Sequence, residues 1–143
     1  MLHPFFTRGR KIKMFELTIN EKVYQFNFGM GFMRELDPTV SKPIEGIKGK
    51  QQNLGVQYAV AGIMDGDVFA LADVLVRANK GFEPRLTQKE IESHIENEDT
   101  DLDALFDDVL GFLKTANVTK KITLNLVETV EKERAKEAAK TAE

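Results

Sequence analysis

The sequence contains no cysteine and no tryptophan, and it has only two histidines among 143 residues. Without cysteine the chain can form neither disulfides nor thiolate metal sites, and it has no thiol nucleophile. The histidines, His3 and His94, lie far apart in the chain, so they do not form a local metal-binding or acid–base pattern. No apolar run approaches the length of a membrane span. The composition therefore argues against redox, metal and membrane functions.

The remaining composition is that of one globular domain, with 42% hydrophobic and 30% charged residues. The net charge of −3 comes from 20 basic and 23 acidic residues, and it hides an asymmetry. Residues 1–13 contain four basic residues and no acidic one, so the remaining 16 basic and 23 acidic residues sum to −7. A body this acidic is poorly suited to nucleic acid.

Residues 1–13 show neither helical nor strand periodicity, and their basic and apolar parts stand in the reverse order of a signal peptide. We predict a disordered leader or a flexible arm here. Met14 directly precedes the first patterned segment, and Arg8-Gly9-Arg10-Lys11 can be encoded by a purine run of the kind that recruits bacterial ribosomes. One hypothesis is that Met14 is the natural start, and the alternative is a genuine arm. Mass spectrometry of the N-terminus from the native locus distinguishes them.

Two alternating segments follow Met14. Phe15, Leu17 and Ile19 alternate with polar residues, and after a short polar link Tyr24, Phe26 and Phe28 do the same. This pattern predicts a β-hairpin over residues 15–28, whose apolar face must be covered by helices or by another chain. A short helix then ends at Asp37-Pro38. Residues 39–52, rich in glycine, proline and lysine, are predicted to be a mobile loop.

Helical patterns dominate the rest of the chain. An apolar segment from about Leu54 predicts a central buried helix, which ends at Asp65-Gly66, and Asp67 can cap the next one. Thr87 and Glu90 have capping-box spacing, and Thr100 or Asp101 precedes the clearest apolar stripe. We predict a mainly α fold with an N-terminal β-hairpin (α+β) and five to six helices. The single domain spans residues 14–118, with helices to 116, and residues 119–143 form a partly solvated helical tail.

The strongest local charge is negative. Asp99-x-Asp101-x-Asp103 resembles the start of a calcium loop, but the glycine and the carboxylate that such a loop needs later are replaced by Ala104 and Leu110. Acidic residues also stabilise the start of a helix, so a structural role competes with an acidic face that binds a basic partner. Between residues 90 and 108 there are nine acidic residues and no Lys or Arg. The acidic residues are Glu90, Glu92, Glu96, Glu98, Asp99, Asp101, Asp103, Asp107 and Asp108.

No catalytic, cofactor-binding or metal-binding residues can be assigned, because paired carboxylates need an enclosed pocket that separates their pKa values and none is indicated. We therefore predict that the protein is not an enzyme and has no cofactor. Clustered aromatic and methionine side chains favour either a core or an adaptable binding surface. These residues are Phe15, Phe26, Phe28, Met30, Phe32 and Met33.

Several segments together resemble the tail assembly chaperones of long-tailed phages and prophages of Gram-positive bacteria. They are FELTIN at residues 15–20, YQFNFGMGFMR at 24–34, YAVAGIMDGD at 58–67, and residues 98–117, which begin EDTDLD. The resemblance covers about residues 14–121.

The resemblance implies a non-enzymatic protein of the bacterial host cytoplasm. Such a protein binds the helical tape measure protein, keeps it soluble and helps to recruit the major tail protein, without binding nucleic acid or membrane. An acidic body suits this role, and an apolar hairpin face suits a homo-oligomer. The family offers no motif for binding residues, so the partner-binding residues stay unknown. The alternative is a small structural or adaptor protein of the virion, such as a head–tail joining factor.

The family also commonly makes a longer product by frameshifting near the end of the gene. Lys120-Lys121 is the only Lys-Lys pair in the chain, and Thr-Lys-Lys can be encoded with the slippery heptamer A-AAA-AAG. If the shift occurs there, residues 122–143 are the C-terminal segment of the product that is made without frameshifting. The alternative is that the two lysines follow a helix C-terminus for electrostatic reasons. The nucleotide sequence distinguishes the two.

Overall fold

A computed structural model describes residues 14–141, so the predictions made for residues 1–13 lie outside the described residues. The described chain contains two β-hairpins, six α-helices and one short 3-10 turn, which confirms the predicted α+β class. The order is β1 (Phe15–Ile19), β2 (Lys22–Phe26), α1 (Met30–Leu36), the 3-10 turn (Asp37–Thr39), β3 (Ser41–Pro43), β4 (Gln51–Asn53), α2 (Gly55–Met64), α3 (Val68–Ala78), α4 (Gln88–Glu96), α5 (Leu102–Thr115) and α6 (Lys120–Thr141).

The first hairpin pairs β1 with β2 in antiparallel register, with Phe15 opposite Phe26. Its two-residue turn, Asn20-Glu21, has positive φ at both positions, the geometry that matches the twist of paired strands. The apolar face is covered by the chain's own helices, and the Phe15 ring lies 5.0 Å from the ring of Phe112 on α5. The chain's own helices therefore cover this face, which is one of the two alternatives that the sequence left open, and oligomerisation stays a prediction.

Three helices, α3, α4 and α5, begin at capping residues that the sequence predicts. Asp67 caps α3 by accepting a hydrogen bond from the Phe69 amide at 2.9 Å. Thr87 and Glu90 form the predicted capping box of α4. Asp101 caps α5 and accepts from the Ala104 amide at 3.0 Å. These short side chains satisfy amides that have no partner within the first helical turn.

The core forms around α2, which packs against α1, α3, α5 and α6. Its residues Val56, Val60 and Ile63 are buried, as expected for a central helix. The first half of α6 packs on α2 and α5 through half-buried Ile122 and Leu126, whereas residues 131–141 are all exposed. None of the helices between residues 14 and 141 is both long and apolar enough to cross a membrane.

Two sequence hypotheses concern the start of α6. Lys120 and Lys121 lie in its first turn, where the helix dipole does not favour positive charge. The frameshift at these lysines stays a prediction, and so does the domain boundary after residue 118.

A second hairpin occupies the segment that was predicted to be a mobile loop. β3 pairs with β4 in antiparallel register, with Ser41 opposite Asn53 and Pro43 opposite Gln51. All six strand residues are exposed, so the strands carry no apolar alternation that a sequence pattern could reveal. The loop prediction was therefore wrong for these strands.

Candidate partner-binding grooves

A groove runs along β1 where this strand faces α5 and the loop before it. It consists of two adjoining depressions of about 630 and 400 Å³ that share Asp108. The first has an apolar floor that includes Met14, Phe15 and Phe112. Acidic side chains line both depressions, and we call the whole feature the acidic groove. Its acidic residues are Asp99, Asp101, Asp107 and Asp108.

Local hydrogen bonds hold the backbone of the loop that carries Asp99 and Asp101. The Asn97 side chain accepts from the Asp99 amide at 2.9 Å, and the Thr100 hydroxyl donates to the His94 carbonyl at 2.7 Å. Asp107 and Asp108 are exposed on α5. Within residues 14–141 none of the four groove acids forms an ion pair. Their negative charge is therefore free to attract a positively charged partner.

One edge of the first hairpin also opens onto this groove. The outer edge of β2 is occupied, since the Asn27 amide donates to the Ala78 carbonyl and the Gln25 carbonyl accepts from Asn79, each at 2.9 Å. In an antiparallel pair, every second residue of a strand turns its backbone N–H and C=O groups away from the partner strand. In β1 these outward residues are Glu16 and Thr18. In the described part of the chain these groups make no hydrogen bond beyond the hairpin. A strand edge of this kind can pair with an extended segment.

A second groove of about 380 Å³ lies between α1 and the end of α3. We call it the α1 groove. Its apolar lining includes Met30, which is 61% exposed, together with half-buried Phe82 and buried Phe32. Phe82 carried no signal in the sequence because it stands in an irregular loop outside any periodic segment.

Charged side chains at the rim of the α1 groove form ion pairs. Glu35 accepts from Lys80 at 2.7 Å and lies 3.7 Å from Arg77, which also pairs with Asp73 at 2.9 Å. The hydrogen bond and positive charge of Lys80 lower the pKa of Glu35 below its ordinary value. With Arg34, which also lines the groove, the rim carries three positive charges against Glu35 and is therefore net positive, in contrast to the acidic groove.

The structure decides between the two roles left open for the aromatic and methionine cluster. Phe15, Phe26, Phe28 and Phe32 are all buried and belong to the core. Met33 is half-buried against that core, and Met30, which lines the α1 groove, is the one member that is largely exposed. Most of the cluster therefore stabilises the fold, and one member is free to contact a partner.

The titratable groups with shifted pKa values have structural roles. The buried Tyr24 hydroxyl donates to Glu90 at 2.7 Å, which ties β2 to α4, raises the pKa of Tyr24 and lowers that of Glu90. Burial lowers the pKa of His94, which lines the acidic groove. Within residues 14–141 no group of three or more His, Asp or Glu side chains is arranged to hold a metal ion.

A comparison with protein families finds a match that covers most of the chain. Residues 16–128 match the family described as "Phage tail assembly chaperone protein, TAC". Neither a curated protein nor a solved structure matches this sequence.

Proposed function

The chain belongs to the phage tail assembly chaperone family, and from this we propose that it binds the tape measure protein and keeps it soluble. In the same proposal it helps to recruit the major tail protein during tail assembly in the cytoplasm of the bacterial host. The observation that carries the proposal is the family match over residues 16–128. A family of chaperones implies a binding role without catalysis, and the two open grooves are compatible with that role.

We place the tape measure contact in the α1 groove. Amphipathic helices commonly bind by laying their apolar face into a groove, and the resemblance to this family implies a helical partner. Met30 is unbranched and exposed, so its side chain can adapt to apolar groups spaced along such a helix. The lining carries Arg34, Arg77 and Lys80 against Glu35, so it suits a helix whose polar side chains are acidic or uncharged. The acidic groove, by contrast, favours a basic segment.

The test is co-expression of this chain with the large protein encoded next downstream. We expect the wild-type chain to keep that protein in the soluble fraction and Met30→Glu to lose most of this effect. Met30 is the first residue of α1, where a new carboxylate is compatible with the helix dipole, so the variant should fold. The matched control is Phe69→Glu, which changes a side chain that is 78% exposed on a different helix.

The outcomes separate the function from the site. If the downstream protein is equally insoluble with and without the wild-type chain, the chaperone proposal fails. If Phe69→Glu abolishes solubilisation and Met30→Glu does not, the contact lies at the start of α3 and the α1 groove is the wrong site. A virion component such as a head–tail joining factor would remain in purified phage particles. We expect this chain to be missing from them.

A further inference from the structure

The second hairpin is an exposed and positively charged projection. We call residues 41–53, with β3, β4 and their loop, the basic hairpin. It carries Lys42, Lys48 and Lys50 against one acidic residue, Glu45, and within residues 14–141 none of these lysines forms an ion pair. Backbone hydrogen bonds close its loop, from the Ile44 amide to Lys50 and from the Lys50 amide to Ile47. The loop also presents Ile47, which is 52% exposed.

The acidic groove has the complementary properties. Its rim carries the unpaired charges of Asp107 and Asp108, and its floor beside them is apolar and includes Phe112. A ligand that fits this surface has an apolar side chain next to two or more positive charges. The Ile47-Lys48-Gly49-Lys50 segment of the basic hairpin has that composition.

The two surfaces belong to different parts of one fold. The basic hairpin lies beside the 3-10 turn, and its Lys42 ammonium group lies 5.2 Å from the centre of the Tyr58 ring on α2. The acidic groove is lined by β1 with its turn, α5, and the end of α4 with the loop that follows. Because the two surfaces lie at separate places in the fold, a contact between them joins two copies of the chain.

We propose that the basic hairpin of one copy binds in the acidic groove of a second copy. Ile47 covers the apolar floor beside Phe112, and Lys48 and Lys50 pair with Asp107 and Asp108. The charge complementarity of the two surfaces selects this occupant. Direct pairing of two β1 edges is disfavoured, because it would bring two acidic grooves together. The contact does not depend on whether the tape measure protein binds the α1 groove.

Sedimentation velocity of the full chain at increasing concentration tests this contact. We expect the wild-type chain to associate at about 0.05 M salt and to dissociate at about 0.5 M salt, because exposed charges are screened. The hairpin variant, Lys48→Glu with Lys50→Glu, should move the association to at least about tenfold higher concentration. The groove variant, Asp107→Lys with Asp108→Lys, should do the same.

Mixing the two variants makes the test specific. Each variant alone places like charges on both surfaces and should stay monomeric. In an equimolar mixture the reversed hairpin meets the reversed groove, and the unchanged hairpin meets the unchanged groove, so association should return. The control Lys120→Glu with Lys121→Glu makes the same charge change as the hairpin variant on exposed residues of α6, and it should associate like the wild type.

Three results would overturn the proposal. They are a wild-type chain that is monomeric at low salt, reversed variants that associate as the wild type does, and a mixture that stays monomeric. Circular dichroism of each variant confirms that the helices are intact, so loss of association cannot be attributed to unfolding. Because the experiment uses this chain alone, its failure leaves the tape measure proposal untouched.

Discussion

The two hairpins of this chain share an antiparallel topology and differ in what stabilises them. The first hairpin buries Phe15, Ile19, Tyr24 and Phe26 against the helices, whereas every strand residue of the basic hairpin is exposed. An isolated hairpin is marginally stable in water, so the first depends on its packed face. The basic hairpin depends on its turns and on its attachment to α2. A hairpin with no packed face adds little to the core, which leaves its side chains available for binding.

One edge of the first hairpin is also anchored to the helical part of the fold. The outer edge of β2 is held by Asn79, a fully buried side chain that donates to the Gln25 carbonyl at 2.9 Å and to the Pro84 carbonyl at 3.2 Å. Its amide oxygen also accepts from Arg85 and from the Leu86 amide. One side chain thus ties the first hairpin to the connection between α3 and α4. The comparison between the hairpins predicts which substitutions lower the free energy of unfolding.

The largest difference is expected for apolar truncations. Phe26→Ala removes a ring that is fully buried between β1 and the helices and should lower the free energy of unfolding by about 3–5 kcal/mol. Ile47→Ala in the basic hairpin should lower it by less than about 0.5 kcal/mol, because the side chain is half-exposed and outside the core. Urea unfolding followed by circular dichroism measures both. Equal losses would show that the basic hairpin belongs to the cooperative core.

A smaller difference is expected for two asparagines. Asn79→Ala removes the hydrogen-bond partner of at least the Gln25 and Pro84 carbonyls and the Leu86 amide. Each buried polar group that is left without a partner lowers the free energy of unfolding by about 1–3 kcal/mol. We expect a total loss of at least about 2 kcal/mol in the free energy of unfolding. Asn53→Ala on exposed β4 is the matched control and should change it by less than about 0.5 kcal/mol. A negligible effect of Asn79→Ala would mean that water replaces the amide.

The sequence was sufficient to predict those elements whose stability comes from periodic burial or from local capping. The alternation around Phe15 and Phe26 predicts the first hairpin, and Asp67, Thr87 and Asp101 predict three helix starts that the structure confirms. In each case the signal lies within a few residues, because the strand period or the first helical turn sets the spacing.

Features that depend on distant contacts could not be predicted in this way. The exposed β3 and β4 have no apolar period, so the sequence pattern indicated only a loop. Asn79 directly follows α3, and its partners Gln25 and Leu86 come from other elements, so no local pattern could indicate its role. The acidity of the groove was visible in the composition, but its apolar floor required Phe15 and Phe112 to meet across the fold.

Acid should weaken the contact between Tyr24 and Glu90 that anchors the first hairpin to α4. The hydrogen bond from the Tyr24 hydroxyl is the main reason why the pKa of Glu90 lies below its ordinary value of 4.5. Hydrogen bonds from Thr87 lower this pKa further. The folded state therefore binds the proton of Glu90 less readily than the unfolded state does. The resulting stabilisation is present above pH 4.5 and is lost as the pH falls through the lowered pKa of Glu90.

Tyr24→Phe isolates this contribution, because it keeps the ring and removes the hydroxyl. The difference in free energy of unfolding between the wild type and Tyr24→Phe should shrink as the pH falls below about 4.5. Tyr58→Phe, an exposed tyrosine beside the basic hairpin, should show no such change with pH. Denaturant unfolding at several pH values from neutral downward measures these differences. A constant difference for Tyr24→Phe would contradict the assigned role of the Glu90 contact.

The smallest effect is expected where the basic hairpin meets the body of the protein. The Lys42 ammonium group lies 5.2 Å from the centre of the exposed Tyr58 ring, and a cation–π contact in such a position contributes about 0.5–1 kcal/mol. Lys42→Met removes the charge, keeps the length of the side chain and should lower the free energy of unfolding by no more than that. If the loss were several kcal/mol, the basic hairpin would be a structural element like the first hairpin. A loss near zero, with association weakened, would instead assign Lys42 to binding, because a charge that adds nothing to folding can still contribute to the contact between two copies.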